Sequence, residues 1–155
     1  MEGDPSLSIG PLKLWVTGRA SIDSGRRWPS DIIAASFSLT TAKTEIIALE
    51  IEWTHVSELK AFVHDYASFQ NKQDDFRLAF KPMSGCLWWY VSMSRKARIY
   101  PCSRMTIYYS EFQADALGFP QGERHRYWIN LTEEELERLI QSCRTIIREY
   151  PERYS

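Results

Sequence analysis

Long apolar runs are missing from this 155-residue chain. No stretch of about 18 consecutive apolar residues occurs, so no membrane-spanning helix is predicted. The first residues, 1–5, are acidic and have neither the basic nor the apolar region of a secretion signal. Cysteine is scarce: Cys86, Cys102 and Cys143 are odd in number and share no CxxC spacing, which is typical of reduced thiols. Together these absences predict a cytoplasmic protein.

Net charge is also small. Lysine and arginine total 19 and aspartate and glutamate total 20, which gives a formal net charge of -1. A charge this close to zero provides no general attraction to nucleic acid or to an anionic membrane. Basic residues cluster only at 26–27, 95–98 and 124–126, and short clusters of this kind are typical of solvated loops. We therefore expect neither nucleic acid nor a membrane as a partner.

Motifs of the common catalytic and metal sites are absent as well. The chain has no HExxH, no GxSxG, no phosphate-binding glycine loop and no Cys/His spacing suited to a metal. Among the histidines, only His125, between Arg124 and Arg126, has a setting that resembles a site, and it fits anion binding or solvation as well as acid–base chemistry. Glu50 and Glu52 share one face of a predicted strand, about 7 Å apart. Paired carboxylates can act as a general acid and base, but on a strand they more often form the polar face opposite the core. The sequence predicts no enzyme, no cofactor and no metal.

What is present is a regular alternation of apolar and polar residues, interrupted twice by helical periodicity. Strands are predicted over 12–17, over a hairpin at 31–53, and over 75–81, 86–94, 104–110 and 127–131. A first helix is predicted after Trp53 with Thr54 as its cap. A second helix follows the capping box from Thr132 to Glu135 and ends at Pro151.

These elements predict an α+β fold. We expect a mainly antiparallel sheet of about six or seven strands, with two amphipathic helices packed on one face. Residues 1–11, rich in proline, glycine and serine, are expected to form a flexible N-terminal arm. Residues 12–155 are expected to form a single domain, and the irregular stretch from 111 to 124 to form a long loop.

Aromatic residues are in surplus, at 14% of the chain with six tryptophans. In the strand at 87–93, Leu87 and Trp89 would line a core while Trp88 and Tyr90 face away. Large aromatic side chains bury about 150–250 Å² each, so several together reach or exceed the roughly 300–600 Å² of a typical monomer's largest apolar patch. Such a patch is covered either by the chain's own arm and loops or by a partner.

A partner would use the outward aromatic residues as anchors and nearby charges as a rim. The residues predicted to bind it are Trp15, Glu50, Glu52, Trp88, Tyr90, Tyr108, Arg124, Arg126 and Trp128.

The order of elements is informative over about residues 30–151. A serine-flanked strand hairpin leads to a sheet-covering helix, several strands follow, and a capped helix ends in the sequence IIREYP at 146–151. In this pattern, which includes no invariant motif, the chain resembles the small immunity proteins of bacterial polymorphic toxin systems, particularly those paired with wall-associated or contact-dependent toxins. The resemblance implies a cytoplasmic antidote that occludes one cognate toxin without catalysis or a cofactor.

Two other hypotheses stay open. The first is a small enzyme or ligand-binding domain with a pocket near Arg124, His125 and Arg126, which convergent polar groups in a deep cleft would favour. The second is a structural homodimer through the aromatic face. A shallow aromatic face would favour protein binding, and stacking of single-stranded nucleic acid on the same rings is the weaker interpretation because the charge is balanced.

Overall fold

The protein is seen here as a computed structural model that describes residues 1–20, 31–69, 75–83, 85–94, 102–110, 113–114, 120–121 and 124–153. Its elements in chain order are β1 (Leu7–Ile9), β2 (Leu12–Arg19), β3 (Ile32–Thr40), β4 (Glu45–His55), α1 (Val56–Phe69), β5 (Phe76–Phe80), β6 (Leu87–Ser94), β7 (Cys102–Ser110), β8 (Gln113–Ala114), β9 (Pro120–Gln121), β10 (Arg124–Leu131) and α2 (Glu133–Glu149). In this described part, neither helix combines the length and apolarity needed to cross a membrane.

The longer strands form two antiparallel sheets of four strands each. The first sheet has the order β1-β2-β3-β4, the second has the order β10-β7-β6-β5, and β8 pairs with β9 separately. The α+β class is confirmed, but the expected single sheet of six or seven strands is wrong. Helix α1 begins directly after β4, so β4 and β5 have no hairpin to pair them, and each ends up at the edge of a different sheet.

The helices connect the two sheets. Helix α1 contacts β4 of the first sheet and β5 of the second, while α2 contacts β1 of the first and β10 of the second. The two helices also contact each other. Each helix therefore covers one pair of edge strands, and its apolar stripe is buried against both sheets.

Aromatic rings fill the space between the sheets. The Trp53 ring on β4 lies 5.7 Å from the ring of Phe80 and 6.3 Å from that of Trp89, which belong to the second sheet. The Phe37 ring on β3 meets that of Tyr109 on β7 edge to face at 5.0 Å. The inward residues of both sheets and of both helices form one hydrophobic cluster.

The N-terminal segment differs from the flexible arm that its composition predicts. Leu7 and Ile9 are buried on strand β1, which pairs with β2 over the register Leu7↔Leu14 to Ile9↔Leu12. The tight connection uses Gly10 at φ 52°, where a Cβ would lie 2.6 Å from the Cδ1 atom of Ile129. Glycine is thus needed at the turn, and the two apolar residues before it are sufficient to anchor the segment.

Strand β4 contains an irregularity that the alternation does not predict. Its register with β3 shifts between Ala35 and Phe37, and Glu50 has φ 48°. An extra residue of this kind is a β-bulge, and it reverses which side chains point inward. Ala48 is buried and Leu49 is exposed, whereas the sequence pattern predicts Leu49 on the core face.

The start of α1 is built differently from the prediction as well. Thr54 still belongs to β4 and is not the cap. Instead, His55 takes that role: its Nδ1 atom accepts the backbone N–H of Ser57 at 3.1 Å. The Glu58 carboxylate accepts the backbone N–H of His55 at 2.9 Å and that of Met83 at 2.7 Å, which ties the helix start to the segment after β5.

Candidate partner-binding face

The outward side of the second sheet carries aromatic residues and arginines in ordered rows. Antiparallel pairing places Trp88, Tyr108 and Arg126 in one row, then Tyr90, Thr106 and Trp128, and then Arg77, Ser92, Arg104 and Asn130. We call this surface the aromatic–arginine face and define it by Arg77, Trp88, Tyr90, Arg104, Tyr108, Arg126 and Trp128.

The two aromatic residues of the first row stack on each other. Trp88 and Tyr108 are nearly parallel, with an interplanar angle of 6° and ring centroids 3.9 Å apart. Directly opposed residues of adjacent strands are close enough for such contact. Tyr90, on the same strand as Trp88, lies 5.9 Å from Tyr108 at an angle of 32°. The centre of the face is therefore a continuous group of three rings.

Cationic groups lie over these rings along the diagonals of the sheet. The Arg77 guanidinium carbon is 3.7 Å from the Tyr90 centroid, and that of Arg104 is 4.5 Å from the Trp128 centroid. The Lys81 Nζ atom, just after β5, lies 5.1 Å from the Trp88 centroid. Each contact is within the range of a cation–π interaction. Arginine and tryptophan are thereby held in place on an open surface.

Hydroxyl groups connect the rings to Arg126. The pKa of Tyr90 is lowered mainly by a hydrogen bond with the Thr106 side chain and, to a smaller extent, by one with the Tyr108 side chain. The hydrogen bond between the two tyrosines raises the pKa of Tyr108, whereas Arg126 acts to lower it. The two shifts are opposite in direction, so Tyr90 is the phenol of the pair that ionises first.

The face opens into a broad cleft of about 840 Å³ that is lined by the second and third rows, by Arg126 of the first row, and by Asp75 and Ser94 beyond the third. Tyr90, Arg104, Arg126 and Trp128 are among the residues that line it. Trp128 is 57% exposed, although tryptophan is usually well covered in folded proteins. Tryptophan, tyrosine and arginine are the residue types enriched among those that contribute most to binding at protein interfaces.

The structure brings together five of the residues predicted from sequence. Trp88, Tyr90, Tyr108, Arg126 and Trp128 all lie on the aromatic–arginine face.

Trp15 and Glu50 belong instead to the outer side of the first sheet. Both line a depression of about 480 Å³ together with N-terminal residues. The indole N–H of Trp15 donates to the Gly3 carbonyl at 3.1 Å, and the Val16 backbone N–H donates to the Ser6 hydroxyl at 3.0 Å. The N-terminal segment therefore covers Trp15, and this covering is on the opposite sheet from the aromatic–arginine face.

The remaining predicted residues have separate settings. Glu50 lies in the bulge of β4. Burial and, to a smaller extent, the nearby charge of Glu52 raise the pKa of the Cys86 thiol. The Arg124 side chain lies outside the described residues, as do most of the loop from 111 to 123 and the basic run at 95–98.

The described residues of the predicted pocket around His125 are divided between the two sides of β10. The His125 ring stacks on Tyr109 at 5.9 Å, and Tyr109 packs inward against Phe37. Successive strand residues point to opposite faces, so His125 and Arg126 lie on different sides of β10.

Three cationic residues of the site, Arg77, Lys81 and Arg104, were missed by sequence reasoning. Arg77 and Arg104 are each the polar member of an alternating strand, between Phe76 and Leu78 and between Ser103 and Met105. The alternation alone could have placed both on the outward side. The two arginines lie on different strands and are far apart in the chain, so the sequence contains no cluster of basic residues that would indicate the site.

Comparison with known proteins adds no relative: the chain matches no family model, and neither a curated protein nor a solved structure is detectably similar to it.

Proposed function

We propose that this is a non-enzymatic binding protein whose aromatic–arginine face contacts a protein partner. Following the resemblance in element order, we further propose that it is a cytoplasmic immunity protein and that the partner is a cognate bacterial toxin, neutralised by occlusion. The observation that carries the proposal is Trp128, which is 57% exposed and held by Arg104 at the edge of a three-ring cluster.

The dimensions of the face fit the centre of a protein interface. Four strands at about 4.8 Å spacing and eight residues at about 3.3 Å rise span an area of roughly 500 Å². A stable interface buries about 800 Å² on each partner. The face would thus supply the well-packed centre, and adjoining surface would supply the rim.

Co-expression with a toxin tests the proposal. The C-terminal domain of a large toxin encoded beside this gene should arrest growth, and co-expression of this protein should restore it. Trp88→Ala and Trp128→Ala should each weaken the purified complex by about 30-fold, the equivalent of roughly 2 kcal/mol for a buried tryptophan anchor.

A matched control is available on the other sheet. Leu49→Ala removes an apolar side chain that is 66% exposed, far from the proposed surface, and it should leave the affinity within twofold. If both tryptophan variants bind as tightly as the wild type, the surface is wrongly assigned. If no neighbouring toxin is neutralised, the antidote function is wrong.

A second function has one observation in its favour. The cleft volume of about 840 Å³ is in the range of small-ligand sites, and Arg77, Arg104 and Arg126 are among its lining residues. Arginines so placed would suit a small anionic ligand. Isothermal titration of the protein with inorganic phosphate and with citrate tests this alternative, since micromolar binding of either would favour it over a protein interface.

A further inference from the structure

We infer that the partner segment bound at the aromatic–arginine face is an acidic protein segment, in which carboxylates flank at least one apolar residue. The inference rests on the proposed function, since it names the chemistry of the partner that this face would bind.

Charge is distributed unevenly over the molecule. The net charge of the whole chain is -1, yet Arg77, Arg104, Arg126 and Lys81 concentrate on one side of one sheet. The two ion pairs found among the described residues, Arg19–Asp31 and Lys60–Glu152, involve none of these four. One carboxylate, that of Asp75, lines the cleft together with three arginines. Positive charge therefore exceeds negative charge on this face, which favours a negative partner segment.

The contacts of Arg77 and Arg104 with aromatic rings are compatible with carboxylate binding. Arg77 and Arg104 lie over aromatic rings at 3.7 and 4.5 Å. A guanidinium that stacks on a ring keeps its N–H donors in its own plane, where they can bind a carboxylate with two parallel hydrogen bonds. Stacking also limits the rotamers of the side chain before binding, so less conformational entropy is lost in the complex.

The rings are poorly placed for nucleobases. Single-stranded nucleic acids bind by stacking bases on open ring faces. Here one face of Trp88 is against Tyr108 at 3.9 Å, and Tyr90 is covered by the Arg77 guanidinium at 3.7 Å. Each of these rings thus has one face already occupied, which leaves less open ring surface for bases.

The rows of the sheet indicate the spacing that a partner needs. Arg77 and Arg104 lie on either side of Ser92 in the third row, two strand spacings or about 10 Å apart. Arg126 lies in the first row, and the row of Tyr90 and Trp128 is between them. A partner segment whose carboxylates lie above the first and third rows would therefore place an apolar side chain above Tyr90 and Trp128 in the second row.

Binding of designed peptides tests the inference directly. The probe is a peptide of about ten residues with a central leucine flanked by glutamates, long enough to span the face when extended. We expect it to shift backbone NMR resonances of β6, β7 and β10. A peptide with glutamine in place of every glutamate should bind at least tenfold more weakly, and added salt should weaken the glutamate peptide.

Charge-reversal variants locate the site. Arg104→Glu and Arg126→Glu, both at exposed positions, should each reduce the affinity of the glutamate peptide at least tenfold. Arg138→Glu, an equally exposed arginine on α2, makes the same change in net charge and should leave the affinity within twofold. Equal binding of the glutamine peptide, or equal loss in the Arg138 variant, would overturn the inference.

Two further outcomes separate this inference from the proposed function. Tighter binding of single-stranded oligothymidylate than of the glutamate peptide, with quenched tryptophan fluorescence, would identify a nucleic-acid surface instead. In the toxin assay, loss of protection by Trp128→Ala but not by Arg104→Glu or Arg126→Glu would support the surface and refute its acidic partner. Protection that survives all three substitutions would refute the surface itself.

Discussion

Tyr90 and Tyr108 share a hydrogen bond, and the bond shifts their pKa values in opposite directions. It raises the pKa of Tyr108 more than any other interaction does, while hydrogen bonds with Thr106 and then Tyr108 lower that of Tyr90. In Tyr90→Phe the shared bond is lost, so Tyr108 should ionise at a lower pH than in the wild type. In Thr106→Val the pKa of Tyr90 should rise. Tyrosine-labelled NMR titration measures both, and a Tyr108 pKa unchanged in Tyr90→Phe would contradict the shared bond.

Cys143 on α2 provides a second prediction at the residue scale. Burial raises the pKa of this thiol to about 12, and thiolate rather than thiol is the form that alkylating reagents attack. In a variant with Cys86 and Cys102 replaced by serine, iodoacetamide at neutral pH should label Cys143 only after denaturant is added. Mass spectrometry measures the labelling, and rapid labelling of the native variant would show that the core around α2 opens readily.

The elements of the chain differ in how far the sequence could predict them. Helix α2 is predicted well because its signals are local: Thr132 and Glu135 bond each other's backbone N–H groups, and the apolar stripe follows at helical spacing. Strand β4 is predicted in position, and its core side is predicted correctly at Trp53 but not before the bulge, where Ala48 is buried instead of Leu49. A bulge at Glu50 depends on pairing with β3, including a bond from the Glu50 N–H to the Ser36 hydroxyl at 2.9 Å, and no pattern within β4 reveals it.

The capping box of α2 should contribute measurably to stability. Thr132→Ala removes the acceptor of the Glu135 N–H at 3.1 Å, and loss of such a cap costs about 1 kcal/mol, or roughly 2–4 °C in Tm for a chain of this size. Thr145→Ala, the same substitution at an exposed site within the helix, is the control: it removes a hydroxyl that donates to the Gln141 carbonyl at 3.0 Å and accepts from Arg148 at 3.1 Å, but it raises helix propensity, so Tm should change little. Differential scanning calorimetry compares the two, and equal Tm values would show that the cap has no net effect.

At the scale of the whole molecule, the outer sides of the two sheets differ. The N-terminal segment lies against Trp15 on the first sheet, whereas the second sheet exposes Trp128 among arginines. The sequence could identify the aromatic residues but not divide them between two sheets, because that division depends on which strands pair across α1. Five predicted site residues therefore converge, and Trp15 and Glu50 do not.

The two sheets should nevertheless unfold together. Trp53 of the first sheet packs against Phe80 and Trp89 of the second, and Phe37 packs against Tyr109, so neither sheet can lose its core face without exposing the other. Unfolding in urea should give coincident transitions by tryptophan fluorescence and far-ultraviolet circular dichroism.

Two substitutions make this test specific. Trp53→Leu should destabilise by about 3 kcal/mol through the cavity that it leaves, and it should shift both transitions equally, because Trp53 contacts both sheets. Trp128→Ala, on the exposed face, should change the midpoint little. Two separated transitions, or a Trp53→Leu effect limited to one probe, would show that the sheets are independent units. Coincident transitions would show that the sheet that carries the aromatic–arginine face does not unfold separately from the rest of the core.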